Sequence, residues 1–138
     1  MPLPPDESSG PVPRPAFEHT TLGSFVAEGD LWTTTITSGK DSIELSLAGN
    51  DSAPHASLTA AAAALIARFP EVKERALDFL ISQEEAPLRE DFICQGLEFL
   101  REDCPNHFSV SFVLFGDLGG VWRVEFEDGE PLFLARDD

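Results

Sequence analysis

The fold is decided by a short stretch near the carboxyl end, Val121-Trp-Arg-Val-Glu-Phe-Glu-Asp-Gly-Glu-Pro-Leu-Phe-Leu134. Apolar and polar residues alternate on both sides of Asp128-Gly129, a dipeptide typical of two-residue hairpin turns. Because side chains on a strand alternate between two faces, Trp122, Val124 and Phe126 share one face. The stretch therefore predicts an antiparallel β-hairpin with one apolar face.

A two-residue turn also fixes the register of the hairpin. It places Val124 opposite Phe133 and Phe126 opposite Pro131. The donor that proline lacks would then have pointed away from the hairpin partner, which favours an edge strand. We therefore expect the last strand to lie at an edge of a sheet.

The same two-residue period marks two earlier parts of the chain. Alternating apolar residues predict a strand that starts at His107 and carries Phe108 to Leu114. The segment from Leu22 to Ala48 predicts a three-stranded meander, with turns at 28–30 and 38–41. These segments and the hairpin together supply about six strands.

The middle of the chain has the spacing of helices. Apolar residues recur at intervals of three and four. Pro70 and Pro87 divide this pattern into three predicted helices, and the third one ends at Pro105. The third predicted helix carries Phe92, Ile93, Gly96, Leu97, Phe99 and Leu100. The sequence thus predicts a single α+β domain over residues 17–138, in which an antiparallel sheet of about six strands carries the helices on one face.

Residues 1–16 have a different composition from the rest of the chain. They contain six of the eleven prolines, together with Ser8, Ser9 and Gly10. Proline fixes φ and removes a backbone donor, so this segment predicts an extended, flexible leader. A ligand for a proline-recognising domain is the alternative, and the single basic residue of the segment favours a plain linker.

Charge is the strongest functional signal. The chain has 25 acidic and 9 basic residues, with a formal net charge of −16. The net charges of residues 1–55, 56–105 and 106–138 are −6, −5 and −5, so there is no separate acidic tail. A strongly negative protein repels nucleic acid and anionic lipid, and it favours either a basic protein partner or simple solubility.

The last part of the chain has the highest density of acids per residue. We take five of its seven acidic residues as candidates for binding a partner. They are Asp117, Glu125, Glu127, Asp128 and Glu130.

Motifs for catalysis or cofactor binding are not recognised. A Gly-x-Ser-x-Gly elbow is absent, and His19, His55 and His107 lie at the boundaries of predicted elements. The glycine-rich segment 116–120 lacks the lysine and the helix start of a phosphate loop. We therefore predict no catalytic residue and no cofactor, and we lean towards a protein that is not an enzyme.

The two cysteines, Cys94 and Cys104, fall on the third predicted helix. A continuous helix would separate them by about 15 Å, too far for a disulfide, so we expect reduced thiols. Their spacing with His107 matches no familiar zinc pattern, and we predict no metal site.

Two segments carry a resemblance to a known group of proteins. The stretch from Val121 to Pro131 resembles the closing hairpin of small bacterial α+β domains of unknown function, and the segment from Phe69 to Ala76 is similar to one of their helices. Some of these domains are toxin-immunity proteins. The resemblance implies a bacterial, cytoplasmic protein that binds and neutralises a partner, and it transfers no catalytic residue.

These observations support two hypotheses about function. The first is a non-enzymatic, acidic interaction module, immunity-like, that presents its last hairpin or sheet edge to a basic protein. The second is a small-ligand-binding domain or an enzyme with a dispersed site between sheet and helices. No export leader or membrane span is recognised, so we expect a cytoplasmic protein that does not bind membranes or nucleic acid; the sequence leaves its oligomeric state open.

Overall fold

A computed structural model describes residues 16–83, 89–114 and 120–137. These residues form one eight-stranded sheet and two α-helices. The strands are β1 (Ala16–His19), β2 (Gly23–Glu28), β3 (Leu31–Ser38), β4 (Asp41–Ala48), β5 (Phe92–Phe99), β6 (His107–Leu114), β7 (Val121–Glu127) and β8 (Glu130–Asp137). The helices are α1 (Ala56–Ile66) and α2 (Phe69–Gln83), and a 3₁₀ turn spans Arg89–Asp91.

The strands follow one another across the sheet in chain order, from β1 to β8. Every neighbouring pair is antiparallel except β4 and β5, which run parallel with Leu45 beside Leu97. Parallel neighbours need a long crossover connection, and the segment that contains α1 and α2 provides it. The sheet is therefore mixed, with an antiparallel half on each side of one parallel pair.

The prediction of about six antiparallel strands and three helices is wrong. The predicted meander is present as β2 to β4, and two of the three predicted helices are present as α1 and α2. The strand β1 was not predicted, and the parallel pairing of β4 with β5 makes the sheet mixed rather than antiparallel. The third predicted helix is the strand β5.

A β-bulge explains why β5 looked helical. The register between β5 and β6 shifts between Cys94 and Gly96, so Gln95 is an extra residue. The buried side chains therefore occur at Phe92, Cys94, Leu97 and Phe99, as a spacing of two, three and two. This spacing breaks the two-residue period, and the exposed Ile93 and Leu100 completed an apparent helical pattern.

The last hairpin forms as predicted, but its register differs. Phe126 lies opposite Pro131, whereas Val124 lies opposite Leu134 and not opposite Phe133. A register shift next to Glu125 inserts one extra residue, Leu132, into β8. The prediction failed beyond the first two residue pairs because turn chemistry does not reveal a bulge.

The core lies between the helices and one face of the sheet, which we call the inner face. Alternate residues of the strands point to it, among them Leu45, Leu97 and Val110, all fully buried. The helices contribute Leu58, Ala62, Leu65, Phe69, Val72, Ala76, Leu77 and Leu80 to the same cluster. The opposite side of the sheet, the outer face, carries the other alternate residues.

The predicted leader lies outside the described residues, except for Ala16, which begins β1. Neither described helix is long and apolar enough to cross a membrane.

Candidate functional site

The tip of the last hairpin gathers three carboxylates. Glu127 and Glu130 are directly opposite each other at the end of the hairpin. Between them, Asp128 and Gly129 have φ values of 53° and 81°, as the tight hairpin turn requires. Like charges at opposite positions destabilise a strand pair, so a cation held against this tip stabilises it.

Side chains from elsewhere hold the tip in place. Arg75 of α2 donates hydrogen bonds to the carbonyl oxygen of Gly129 at 2.6 Å and to the Glu130 carboxylate at 2.8 Å. The amide of Asn106 donates to the Asp128 carboxylate at 3.1 Å. The Glu130 side chain is still 70% exposed, so its charge remains accessible to a partner.

The candidate Glu125 has a different environment from the acids at the tip. One of its carboxylate oxygens lies 2.9 Å from Nε2 of His107, and the other accepts a hydrogen bond from Nε of Arg123 at 3.0 Å. The Glu125 side chain is only 12% exposed. Its charge is therefore paired within the outer face, while Asp117 lies outside the described residues.

Two exposed apolar side chains adjoin the acidic tip. Leu132 and Phe133 of β8 are 51% and 53% exposed. The strand β8 pairs with β7 on one side, and no strand of the described chain covers its other edge. The unpaired edge of a sheet readily accepts another chain, so this surface combines apolar area with an open backbone edge.

A polar cavity of about 320 Å³ lies on the outer face, over β4, β5 and β6. We call this cavity the serine trough. It is lined by Glu44, Ser46, Gln95, Gly96, Glu98 and Ser111. Glu98 and Ser109 also line a neighbouring cavity of about 220 Å³ beside His107, Arg123 and Glu125.

The sequence interpretation missed the serine trough. Serine and glutamate at alternate strand positions are typical of a solvent-facing surface, and they carry no motif. The trough also depends on β5 lying next to β4, and β5 had been predicted as a helix. A glycine inside an apolar strand often marks a β-bulge, so Gly96, next to the bulge at Gln95, was the sequence signal that could have corrected this prediction.

A third cavity, a cleft of about 540 Å³, lies between α1, α2 and the last hairpin. The buried Phe99 and Phe108 line its apolar part. Arg68 and Arg75 line its polar part, and the Arg75 guanidinium is already bonded to the hairpin. Within the described chain, the Arg68 side chain has no hydrogen-bonding or ionic partner.

The cysteines do not form a reactive centre. Cys94 lies on β5 rather than on a helix, and both it and Cys104 are free. Burial, with a smaller contribution from Asp41, raises the pKa of the Cys94 thiol to about 12. The thiol is therefore protonated at neutral pH and is a poor nucleophile.

The three histidines have local partners. His19 accepts backbone hydrogen bonds from Thr21 and Leu22 in a turn, and His55 lies 3.5 Å from the Glu102 carboxylate.

Among the described residues, no group of three or more His, Cys, Asp or Glu side chains is arranged to hold a metal ion.

Comparison of the chain with protein-family models, with curated protein sequences and with solved structures found no match.

Proposed function

We propose that the protein is a non-enzymatic interaction module that binds a basic protein partner through its last hairpin. The observation that carries this proposal is the adjacency of exposed Leu132 and Phe133 to the carboxylates of Glu127, Asp128 and Glu130 on an open sheet edge. Apolar side chains supply contact area, and the surrounding charge steers a partner of opposite sign. The net charge of −16 extends this steering over the whole molecule.

An immunity-like role is the narrower form of this proposal, and it rests on the resemblance of the hairpin and one helix. Its partner would be a basic toxin, and binding would block the toxin. A toxin gene beside the gene for this protein, and protection of cells by co-expression, would support the role. Full toxicity in the presence of the protein would contradict it.

The proposal is tested by reversing charges at the tip. Proteins captured from a cell lysate by the immobilised chain are identified, and the tightest basic protein is purified. We expect the double variant Glu127→Lys/Glu130→Lys to weaken its binding at least tenfold, because four charge units change beside the apolar pair. The affinity of the wild type should also fall as salt increases, since screening weakens steering.

The matched control is Asp30→Lys/Asp51→Lys, which makes the same change of charge at two exposed carboxylates away from the hairpin. This control should lose much less affinity. If both variants lose the same affinity, binding depends on net charge alone and the hairpin is not the site. Because Glu130 contacts Arg75, the milder Glu127→Gln/Glu130→Gln variant provides the test should the reversed variant fail to fold.

The cleft between sheet and helices supports a second candidate function, the binding of a small organic acid. The Arg68 guanidinium, unpaired in the described chain, lines this cleft together with Phe99 and Phe108. Thermal-shift measurements with aromatic and aliphatic carboxylates test this function. We expect stabilisation that is lost in Arg68→Gln; an equal shift in that variant would exclude the cleft.

A further inference from the structure

The serine trough contains polar groups that are buried and unsatisfied. Ser46 and Ser111 are only 4% and 8% exposed, and their hydroxyl groups have no hydrogen-bond partner in the described chain. Most buried polar groups in proteins are hydrogen-bonded, because removing an unpaired one from water costs free energy. Two such hydroxyls in one cavity are available to hydrogen-bond with a ligand.

The carboxylates of the trough are unpaired as well. Glu44 lies beside Gly96, and Ser46 lies beside Glu98, on the adjacent parallel strands β4 and β5. In the part of the chain that the structure describes, neither carboxylate pairs with a lysine, an arginine or a histidine. The walls of the trough therefore offer negative charge and acceptor oxygens.

The centre of the trough is empty because Gly96 has no side chain. A Cβ atom at this position would lie 3.6 Å from the Glu44 carbonyl oxygen and 3.7–3.8 Å from the Ser111 side chain. These are ordinary contact distances, so a methyl group would fit without a clash. Glycine at this position therefore leaves the cavity open, although the backbone conformation does not require a glycine.

These groups together specify the kind of ligand. Carboxylate and hydroxyl oxygens all accept hydrogen bonds. The two carboxylates lie on adjacent strands, which are about 4.8 Å apart, and Glu98 is two residues beyond the position opposite Glu44. A guanidinium group matches this arrangement, since it is a planar cation with five donors and is more weakly hydrated than an ammonium group. A compact ammonium reaches fewer of the acceptors at once.

We propose that the serine trough binds an arginine side chain of the basic partner protein. The inference rests on the proposed function and adds a second contact, separate from the hairpin. Glu127 of the hairpin shares the outer face with the trough, and β5 and β8 are separated by about 15 Å at a strand spacing of about 4.8 Å. A standard interface of about 800 Å² per partner is large enough to cover both.

The trough is tested with a probe that does not require the partner. The isotope-labelled full chain is titrated with N-acetyl-arginine methylamide and with the citrulline analogue, which has a similar shape and no charge. We expect the arginine probe to bind with a Kd in the millimolar range and to shift the amide resonances of Ser46, Gly96 and Ser111. The citrulline probe should bind at least tenfold more weakly.

Two variants locate the binding. Glu44→Gln/Glu98→Gln should weaken the arginine probe at least tenfold, whereas Glu71→Gln/Glu90→Gln, at exposed carboxylates outside the trough, should not. Ser46→Ala should weaken binding while the thermal midpoint stays equal or rises. A purely structural hydroxyl would instead lower the midpoint when removed.

The proposal is overturned if arginine and citrulline bind equally, if the shifts lie away from the trough, or if Glu44→Gln/Glu98→Gln binds as well as the wild type. Glu127→Lys/Glu130→Lys serves as the cross-check, because it alters the hairpin and leaves the trough intact. It should keep arginine binding at the trough. A negative result for arginine binding at the trough is thereby distinguished from a negative result for partner binding at the hairpin.

Discussion

The inner and outer faces of the sheet are built by alternate residues of the same strands, yet they bury different chemistry. On β4, Leu45 of the inner face is 0% exposed, and Ser46 of the outer face is 4% exposed. The leucine belongs to the apolar core with α1 and α2, whereas the serine lines a polar cavity with unpaired carboxylates. Low solvent exposure therefore marks apolar packing on one face and the lining of a polar cavity on the other.

The largest effect should come from truncating the inner face. Leu45→Ala should lower the free energy of unfolding by about 3 kcal/mol, because the methyl groups leave a cavity in a close-packed core. Ser46→Ala, one residue further along β4, should change it by less than about 1 kcal/mol and in the stabilising direction, since it removes an unsatisfied hydroxyl.

Urea unfolding followed by the fluorescence of buried Trp32 and Trp122 measures both variants. If Ser46→Ala destabilises the protein as much as Leu45→Ala, the two faces do not differ in the way that we describe.

An intermediate effect is expected from Cys94, which lies on the inner face. Its pKa is raised from 9.0 to about 12, mainly by burial. Between these values the unfolded chain loses the thiol proton and the folded chain keeps it, so stability falls as pH rises. The expected loss is of the order of 1 kcal/mol per pH unit above about pH 9.

Cys94→Ala should show a weaker loss of stability between pH 9 and 11 than the wild type, whatever its stability at neutral pH. Cys104→Ala, at a partly buried position, should keep the wild-type slope. The chain contains no tyrosine, so no phenol titrates in this range. Equal slopes in all three proteins would show that burial does not control the Cys94 thiol.

The smallest effect is expected at Gly96 on the outer face. Gly96→Ala should raise the free energy of unfolding by about 0.5–1 kcal/mol, because alanine loses less conformational freedom and its Cβ meets only ordinary contacts. The added methyl group also takes space in the serine trough, so arginine binding should weaken.

Chemical denaturation together with the arginine titration tests this pair of outcomes. A loss of stability with unchanged binding would show that the trough is not the empty space inferred from the glycine.

Local patterns predicted much of the fold and little of the site. The meander, α1, α2 and the last hairpin follow from periodicity and turn residues, which act over a few neighbouring positions. Glu127, Asp128 and Glu130 were identified because the last part of the chain has the highest density of acidic residues. Glu125 was grouped with them, since the sequence does not reveal that His107 and Arg123 flank it.

The sequence by itself determined the strongly negative charge, most of the strands, two helices and the acidic turn of the hairpin. These properties depend on composition and on side chains that are close in the chain. The tertiary structure decided the parallel pairing of β4 with β5, the bulges at Gln95 and Leu132, and the gathering of Ser46, Glu98 and Ser111. These features depend on contacts between residues far apart in the chain, and a local sequence pattern does not reveal the free energies of such contacts.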